Sequence, residues 1–317
     1  MSRSTYKLLA PAKINLLLQI VGDQFDDNGR SNGYHELVMI MQSISLADQI
    51  HLRSLGVDRI QLHCDHPQVP LDSSNLAHRA AALMMQKFPG LSGVEITIHK
   101  QIPIGAGLAG GSADAAAVLV GLDLMWNLGL TQTELQSLGG QLGSDVPFCL
   151  EGGTALALGR GDQLDFLPGL ENIYVVLGKY RSLSVSTPWA YQTYRQQFQA
   201  SYAKTPAEQD ARRHASGSGS LLKAIAQRDI AQIGQRLTND LERVVLPAHP
   251  QVAVLRQTLQ AQNLLGVMMS GSGPTVFGLA ESAATADQAK ARVRAAIADP
   301  DLELWVAQFC SHGIRLL

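Results

Sequence analysis

The sequence predicts an α+β protein built from two domains, and three observations carry that prediction. Stretches of period-2 alternation, such as VEITIHK at 94–100, adjoin alanine- and leucine-rich runs with strong helix propensity, such as ADAAAVLVGLDLMW at 113–126. TALALGRGDQLDFL at 154–167 reads as a hairpin, so strands able to pair antiparallel are mixed with helices in an α/β sandwich. The chain has 317 residues, 46% of them hydrophobic, which suggests about two domains and ample core. Pro168-Gly169 is the best boundary, giving units 1–169 and 170–317.

Composition narrows the function. The net charge is −2, which argues against nucleic acid or an anionic membrane surface as the main partner. The three cysteines, Cys64, Cys149 and Cys310, have no paired spacing, as expected of a reducing compartment. The first apolar run is interrupted by Pro11 and Lys13, unlike a signal peptide, and no apolar run is long enough to span a bilayer. A cytoplasmic location is expected.

Residues 7–21 read as a strand broken at Pro11. Lys13, Asn15, Leu17 and Gln19 share one face of it. That face suits an edge strand with a solvated side, or a cleft into which Lys13 and Asn15 point; the pattern alone leaves both open. Residues 26–33 carry turn chemistry, and 35–45 are apolar on both faces like a central strand. Tyr34 and His35 stand at that junction, as core lids or as groups to stack on a planar ring and bond its edge. His63, Cys64, Asp65 and His66 superficially suggest metal ligands, but neighbours on a strand alternate in direction and no second cluster completes a site. Asp72, Ser73, Ser74 and Asn75 form a dense capping signal for a helix after them.

The chain is organised around 102–121, IPIGAGLAGGSADAAAVLVG, which lies between the 94–100 strand and a helix. Gly105, Gly107, Gly110 and Gly111 allow positive φ and close approach to a ligand. Ser112 is expected at the N-cap, with free N–H groups and the positive dipole end behind it. That combination suits a phosphate. The lysine of a P-loop is missing. G-x-G-x-x-G is present, but a second helix at 131–143, capped by Thr131 or Thr133, follows instead of the strand a dinucleotide fold needs. A glycine loop that only packs a helix closely on a sheet is the plainer alternative.

Asp145 lies in a loop before Val146-Pro147, as a helix cap or something more. The RGD at 160–162 is read as the hairpin turn, without an adhesion role. Residues 173–180 are a buried strand, and Thr187, Pro188, Trp189 and Tyr191 follow. Residues 196–220 are polar and end in SGSGS, so a mobile surface loop is expected. Beyond it come helices at 221–228 and 230–237, a helix at 249–262, a strand, a GSGP loop, another strand, a long helix and a closing strand near 304–310.

Three separated stretches, PAKINLLLQIVG (11–22), IPIGAGLAGGSADAAA (102–117) and MSGSGPTVFGL (269–279), resemble the three motifs of the GHMP kinases. GYHEL, GSDVPF and STPWAY resemble the branch of that family whose acceptor carries a cytidine diphosphate group. The resemblance implies a two-domain GHMP kinase fold, with an N-terminal domain like ribosomal protein S5 domain 2, a ferredoxin-like C-terminal domain and the active site between them. It implies an ATP-dependent kinase acting on a small-molecule alcohol. ATP would lie on Pro103, Gly105, Ala106, Gly107, Leu108, Ala109, Gly110, Gly111 and Ser112, with Asn75 and Lys100 near the nucleotide. Tyr34, His35 and Tyr191 would hold the cytosine between two aromatic rings, with Asn15, Asp145 and Thr187 also on the substrate. Lys13 and Asp145 would be catalytic, Asp145 accepting the hydroxyl proton and Lys13 neutralising charge. Ser270, Gly271, Ser272 and Gly273 would face the cleft.

Some positions depart from the family pattern. Ala109 replaces a glycine, which is harmless where its φ is negative. Ala113 replaces a second serine and leaves Ser112 as the hydroxyl of the phosphate site. No acidic metal ligand is evident on this helix, so Mg²⁺ would be held mainly through ATP oxygens and water. Tyr191 replaces a phenylalanine and keeps the stacking face. Two other readings are a homoserine- or mevalonate-type kinase, against which GYHEL and a later aromatic argue for a planar base, and a non-catalytic nucleotide sensor, against which Lys13, Ser112 and Asp145 argue together.

Overall fold

In a computed structural model, residues 5–25, 31–215 and 218–317 are described; the expected turn at 26–33 lies largely outside them. The chain forms β1 (Thr5–Phe25), β2 (Ser31–Ser54), β3 (Ile60–Cys64), α1 (Leu76–Lys87), β4 (Val94–His99), α2 (Gly110–Trp126), α3 (Gln132–Leu142), α4 (Val146–Glu151), β5 (Thr154–Gly159) and β6 (Gln163–Leu167). There follow β7 (Tyr174–Tyr180), α5 (Thr187–Phe198), α6 (Pro206–Ala215), α7 (Ser218–Ala226), α8 (Ile230–Gln235), β8 (Thr238–Asn239), α9 (Glu242–Ala248) and α10 (Pro250–Gln260). β9 (Gly266–Met269), β10 (Val276–Ala280), α11 (Ala283–Ala296), β11 (Leu302–Gln308) and β12 (Arg315–Leu316) complete it.

The first sheet runs β12-β1-β2-β4-β3, with β5 pairing β2, β6 pairing β5 and β8 pairing β1. β1 and β2 form a long antiparallel ribbon whose register shifts between Pro11 and Ala12, where proline cannot donate to the ladder. The shift frees the Lys13 N–H to bond Leu108 O at 3.1 Å, tying the first strand to the glycine loop. Central α2 is buried on nearly every side, from Ala113 through Leu119, and packs on β1 and β2 beside α1, α3 and α4. Such a helix carries no amphipathic stripe, because helices surround it as well as the sheet.

The second sheet runs β11-β7-β10-β9, all antiparallel, with α10 and α11 packed against it. Chain order β7, helices, β9, β10, α11, β11 with that spatial order is the ferredoxin-like arrangement. The two sheets are stitched together by β8 and β12 on β1, and by a bridge between Ile44 and Phe309.

The loop expected over 196–220 is corrected: α5 runs to Phe198, a 3-10 turn covers Gln199–Ser201, and α6 and α7 follow, residues 216 and 217 lying outside the described range. α7 buries Leu221, Ala224 and Ile225. In α6, polar Gln209 is 6% exposed because its amide donates to Asp23 O at 2.7 Å, so burial there is polar and left no apolar period. Asn75 caps α1 by accepting from Ala77 N–H, and Thr131 with Glu134 makes a capping box on α3.

Candidate active site

One cleft of about 1070 Å³ lies between the two sheets, and most residues singled out from the sequence line it. Lys13, Tyr34, His35, Asn75, Lys100, Asp145, Thr187, Tyr191, Gly271, Ser272, Pro103, Gly105, Ala106 and every residue from Gly107 to Ser112 border it. That volume reaches the upper end of ligand sites, roughly 300–1,000 Å³, so two substrates fit side by side.

The glycine loop differs in detail from expectation. α2 begins at Gly110, so Ser112 is its third residue and not its cap. The cap is Ala109, at φ 56° and ψ 31°, a left-handed conformation that strains an L-residue by roughly 1–2 kcal/mol. The condition under which alanine is harmless there, a negative φ, is therefore not met. The turn at Ala109 draws Gly110 and Gly111 into the first helical turn; the first helical bond is Ala113 N–H to Ala109 O at 2.9 Å. The N–H groups of Gly110, Gly111 and Ser112 precede that bond at the cleft wall, the arrangement that favours a phosphate. Ala113 is fully buried and does not border the cleft.

Gly107 has φ +73°, and a Cβ there would lie 2.3 Å from Ser270 O. Its smallness therefore serves the third motif packed against it. Ser270, 0% exposed, donates its hydroxyl to Gly107 O at 3.0 Å. Ser270 and Gly273 do not line the cleft, correcting that expectation: they sit behind the wall and hold the glycine loop, while Gly271 and Ser272 border the cleft. Ser272 and Thr187 share a hydroxyl–hydroxyl bond of 2.8 Å.

Lys13 and Asn15 are buried, which decides against a solvated edge. The Lys13 ammonium donates to Asn15 Oδ1 at 2.9 Å and lies 3.6 Å from Asp145 Oδ2. Asn15, with no exposed surface, does not itself border the cleft expected for the substrate; its side chain holds Lys13. Asp145 occupies the N-cap position of α4 yet makes no side-chain cap bond. Its carboxylate side chain is 31% exposed beside the lysine, so capping does not explain it.

Two expected nucleotide residues have their polar atoms committed inside the protein. The Asn75 amide accepts from Ala77 N–H and donates to Pro70 O. The Lys100 ammonium donates to Asp48 Oδ2 at 2.5 Å and Asp114 Oδ2 at 3.0 Å. Asp48 also accepts the N–H groups of Gln101 and Ile102, at 2.6 and 2.9 Å, so it fixes the entry to the glycine loop. Burial pushes the Asp114 carboxyl up, Lys100 pulls it back and Asp48 pushes it further up. Neither aspartate was singled out by sequence; Asp114 resembles an ordinary residue of an alanine helix.

At the other end, Tyr34 is 54% exposed. The His35 ring lies 5.2 Å from that of Tyr191. Burial, with Arg195 nearby, pushes His35 down to about 4, so its imidazole is neutral near pH 7. Arg195 donates to Asp23 Oδ1, Gly33 O and Tyr34 O, pinning the Tyr34 loop to α5. Its spacing of four from Tyr191 on one helix was the available signal. Arg160, from the RGD turn, lies over the Tyr34 ring at 4.8 Å. Among the described residues no group of three His, Cys, Asp or Glu could hold a metal.

The N-terminal GHMP kinase model matches residues 75–153 and the C-terminal one 221–299. The chain is 67% identical to the 4-diphosphocytidyl-2-C-methyl-D-erythritol kinase of Cyanothece sp., over 98% of each chain. It is 62% identical to the enzyme of that name from Acaryochloris marina, over 98% of this chain and 99% of that one. A crystal structure of 4-(cytidine 5'-diphospho)-2C-methyl-D-erythritol kinase superposes with TM-score 0.73 at 32% identity, covering 96% of this chain and 98% of that one. Homoserine kinase from Cytophaga hutchinsonii superposes at 0.74 with 19% identity, over 99% and 97%, which speaks to the fold alone.

Proposed function

The chain belongs to the 4-diphosphocytidyl-2-C-methyl-D-erythritol kinases of the GHMP kinase family, and from that premise we propose the following reading of its cleft. The enzyme uses ATP to phosphorylate 4-diphosphocytidyl-2-C-methyl-D-erythritol, with the 2-hydroxyl as acceptor, on the non-mevalonate route to isoprenoid precursors. The observation that carries this reading is that a phosphate-type helix N-terminus, the Lys13–Asp145 pair and the Tyr34–His35–Tyr191 group border one cleft. Residues 1–169 supply the ATP half and 170–317 close the acceptor half.

The N–H groups of Gly110 to Ser112 hold the ATP phosphates. The acceptor oxygen bonds to the γ-phosphorus as the bridging bond to the β-phosphate breaks, and ADP leaves. Asp145 takes the hydroxyl proton, and Lys13 neutralises the charge that builds between them. A magnesium ion would spread the phosphate charge; Ser112 is the hydroxyl that fits beside it, with ATP oxygens and water as the other donors.

Steady-state release of ADP, measured over a panel of acceptors, tests the reading. Turnover with 4-diphosphocytidyl-2-C-methyl-D-erythritol and none with homoserine or mevalonate is expected; the reverse preference, or no turnover at all, would overturn it. Tyr34 and Tyr191 clamp the cytosine, and stacking on an aromatic contributes about 1–3 kcal/mol per base. Tyr191→Ala should therefore weaken acceptor binding roughly 5- to 150-fold while leaving ATP binding unchanged. Unaltered affinity by calorimetry would remove Tyr191 from the clamp.

A further inference from the structure

His35 Nε2 lies 2.9 Å from the Tyr202 hydroxyl, and the two rings meet edge to face at 5.7 Å. Tyr202 is 6% exposed, follows the 3-10 turn at Gln199–Ser201, and does not border the cleft. Its neighbour Ala203 donates its N–H to Val21 O at 3.0 Å, which fixes this segment on β1. The Tyr202 ring also stacks on Tyr194 at 6.3 Å. The phenol is thus held from three sides, with its hydroxyl aimed at one imidazole nitrogen.

Two proton arrangements satisfy a 2.9 Å contact between a phenol and a neutral imidazole. In one, Nε2–H donates to the phenol oxygen. The phenolic proton then has no acceptor among the described residues, and a buried donor without a partner is destabilising. In the other, the phenol donates to Nε2, both atoms of that contact are satisfied, and the ring proton resides on Nδ1. We propose that Tyr202 is a positioning residue that fixes His35 as the Nδ1–H tautomer and thereby makes the site select cytosine over uracil.

The link to the base is chemical and rests on the reading that this part of the cleft takes the cytosine. His35 borders the cleft, and with Nε2 taken by Tyr202, Nδ1 is the ring nitrogen left for a ligand. Cytosine presents acceptors at O2 and N3, which an Nδ1–H donor matches. Uracil carries a proton on N3, so donor would meet donor there. His35 is neutral at neutral pH, because burial pushes it down to about 4. Its choice of tautomer therefore decides what it can read.

Tyr202→Phe keeps the ring and its packing while deleting the hydroxyl, freeing His35 to exchange tautomers. The test compares kcat/KM for the cytidine acceptor with that for the same acceptor carrying uracil. The ratio should fall roughly 5- to 150-fold in the variant, the range for a mispaired buried donor, with KM for ATP unmoved. In the ¹⁵N spectrum of histidine-labelled parent protein, His35 should show a protonated Nδ1 and a bare Nε2. A protonated Nε2 in the parent overturns the inference, whatever the variant does. An unchanged cytosine-to-uracil ratio in folded Tyr202→Phe overturns it also, with the cytidine reading intact. A parent that ignores the cytidine acceptor removes the reading and the inference together.

Discussion

Asp145→Asn is expected to lower turnover by about 10²–10⁴-fold, the usual contribution of a positioned base. The substitution keeps the shape of the side chain and removes its charge. The acceptor alcohol is far too weak an acid to be deprotonated before attack, so on the proposed mechanism the carboxylate takes the proton as the oxygen–phosphorus bond forms. Binding of ATP and acceptor should change little, because the loss is felt in the transition state. The geometry also bears on the alternative that Asp145 merely orients Lys13. The lysine ammonium is bonded to Asn15 Oδ1 at 2.9 Å, nearer than its 3.6 Å to Asp145, and Asn15 is fully buried. Lys13 therefore keeps its place without the aspartate. Single-turnover kinetics on Asp145→Asn, Lys13→Ala and the double variant decide the matter. If Lys13→Ala and the double variant lose equally, Asp145 acts through Lys13; a chemical step in Asp145→Asn as fast as the parent's removes it from the mechanism.

Lys100→Met should destabilise the fold by about 3–5 kcal/mol, the range for breaking a buried ion pair by removing one partner. The Lys100 side chain is 5% exposed, with Asp48 at 0% and Asp114 at 4% around it. Without the ammonium, two carboxylates face each other, and one must stay protonated. The sign of the pH dependence follows from the direction of the shift. A carboxyl raised above its ordinary 3.8 contributes stability that is fully present below that value and lost as pH rises through the folded value. Losing Lys100 removes the one neighbour that pulls Asp114 down from a folded value already near 8, so the deficit of Lys100→Met should widen between about pH 7 and pH 9. Urea melts at the two pH values measure it, and an equal deficit at both would mean the three groups do not titrate as a unit. KM for ATP should rise as well, because Asp48 joins Lys100 to the backbone of Gln101 and Ile102 at the start of the glycine loop.

The parts of the site that sequence made legible are those whose signal is local. The glycine loop, the Asn75 cap and the Thr131–Glu134 box announce themselves within a few residues. By its own pattern Lys13 was legible as a polar residue in an apolar strand with its destination open, and the family resemblance alone pointed it to the site. The groups that sequence concealed meet across long stretches of chain. Asp48 reaches Lys100 over 52 positions and Tyr202 reaches His35 over 167, and no spacing rule spans such gaps. Ala109 hid for a different reason: alanine gives no hint of left-handed backbone, and tertiary packing of the loop overrides its preference. The 196–220 stretch was misread because its buried side chains include a glutamine, so composition masked the helices.

The stitching of β8 and β12 onto β1 separates two meanings of the word domain. For ligands, residues from both sides of position 169, such as Tyr34 and Tyr191, border one cleft. For the chain they are not independent pieces, since Leu8 and Leu9 pair with Leu316 and Arg315, and Leu17 and Leu18 with Thr238 and Asn239. An N-terminal fragment expressed alone would present that strand as a bare, leucine-rich edge, the kind of edge along which chains associate. The two pairings thus tie distant stretches of chain into the strand that carries Lys13.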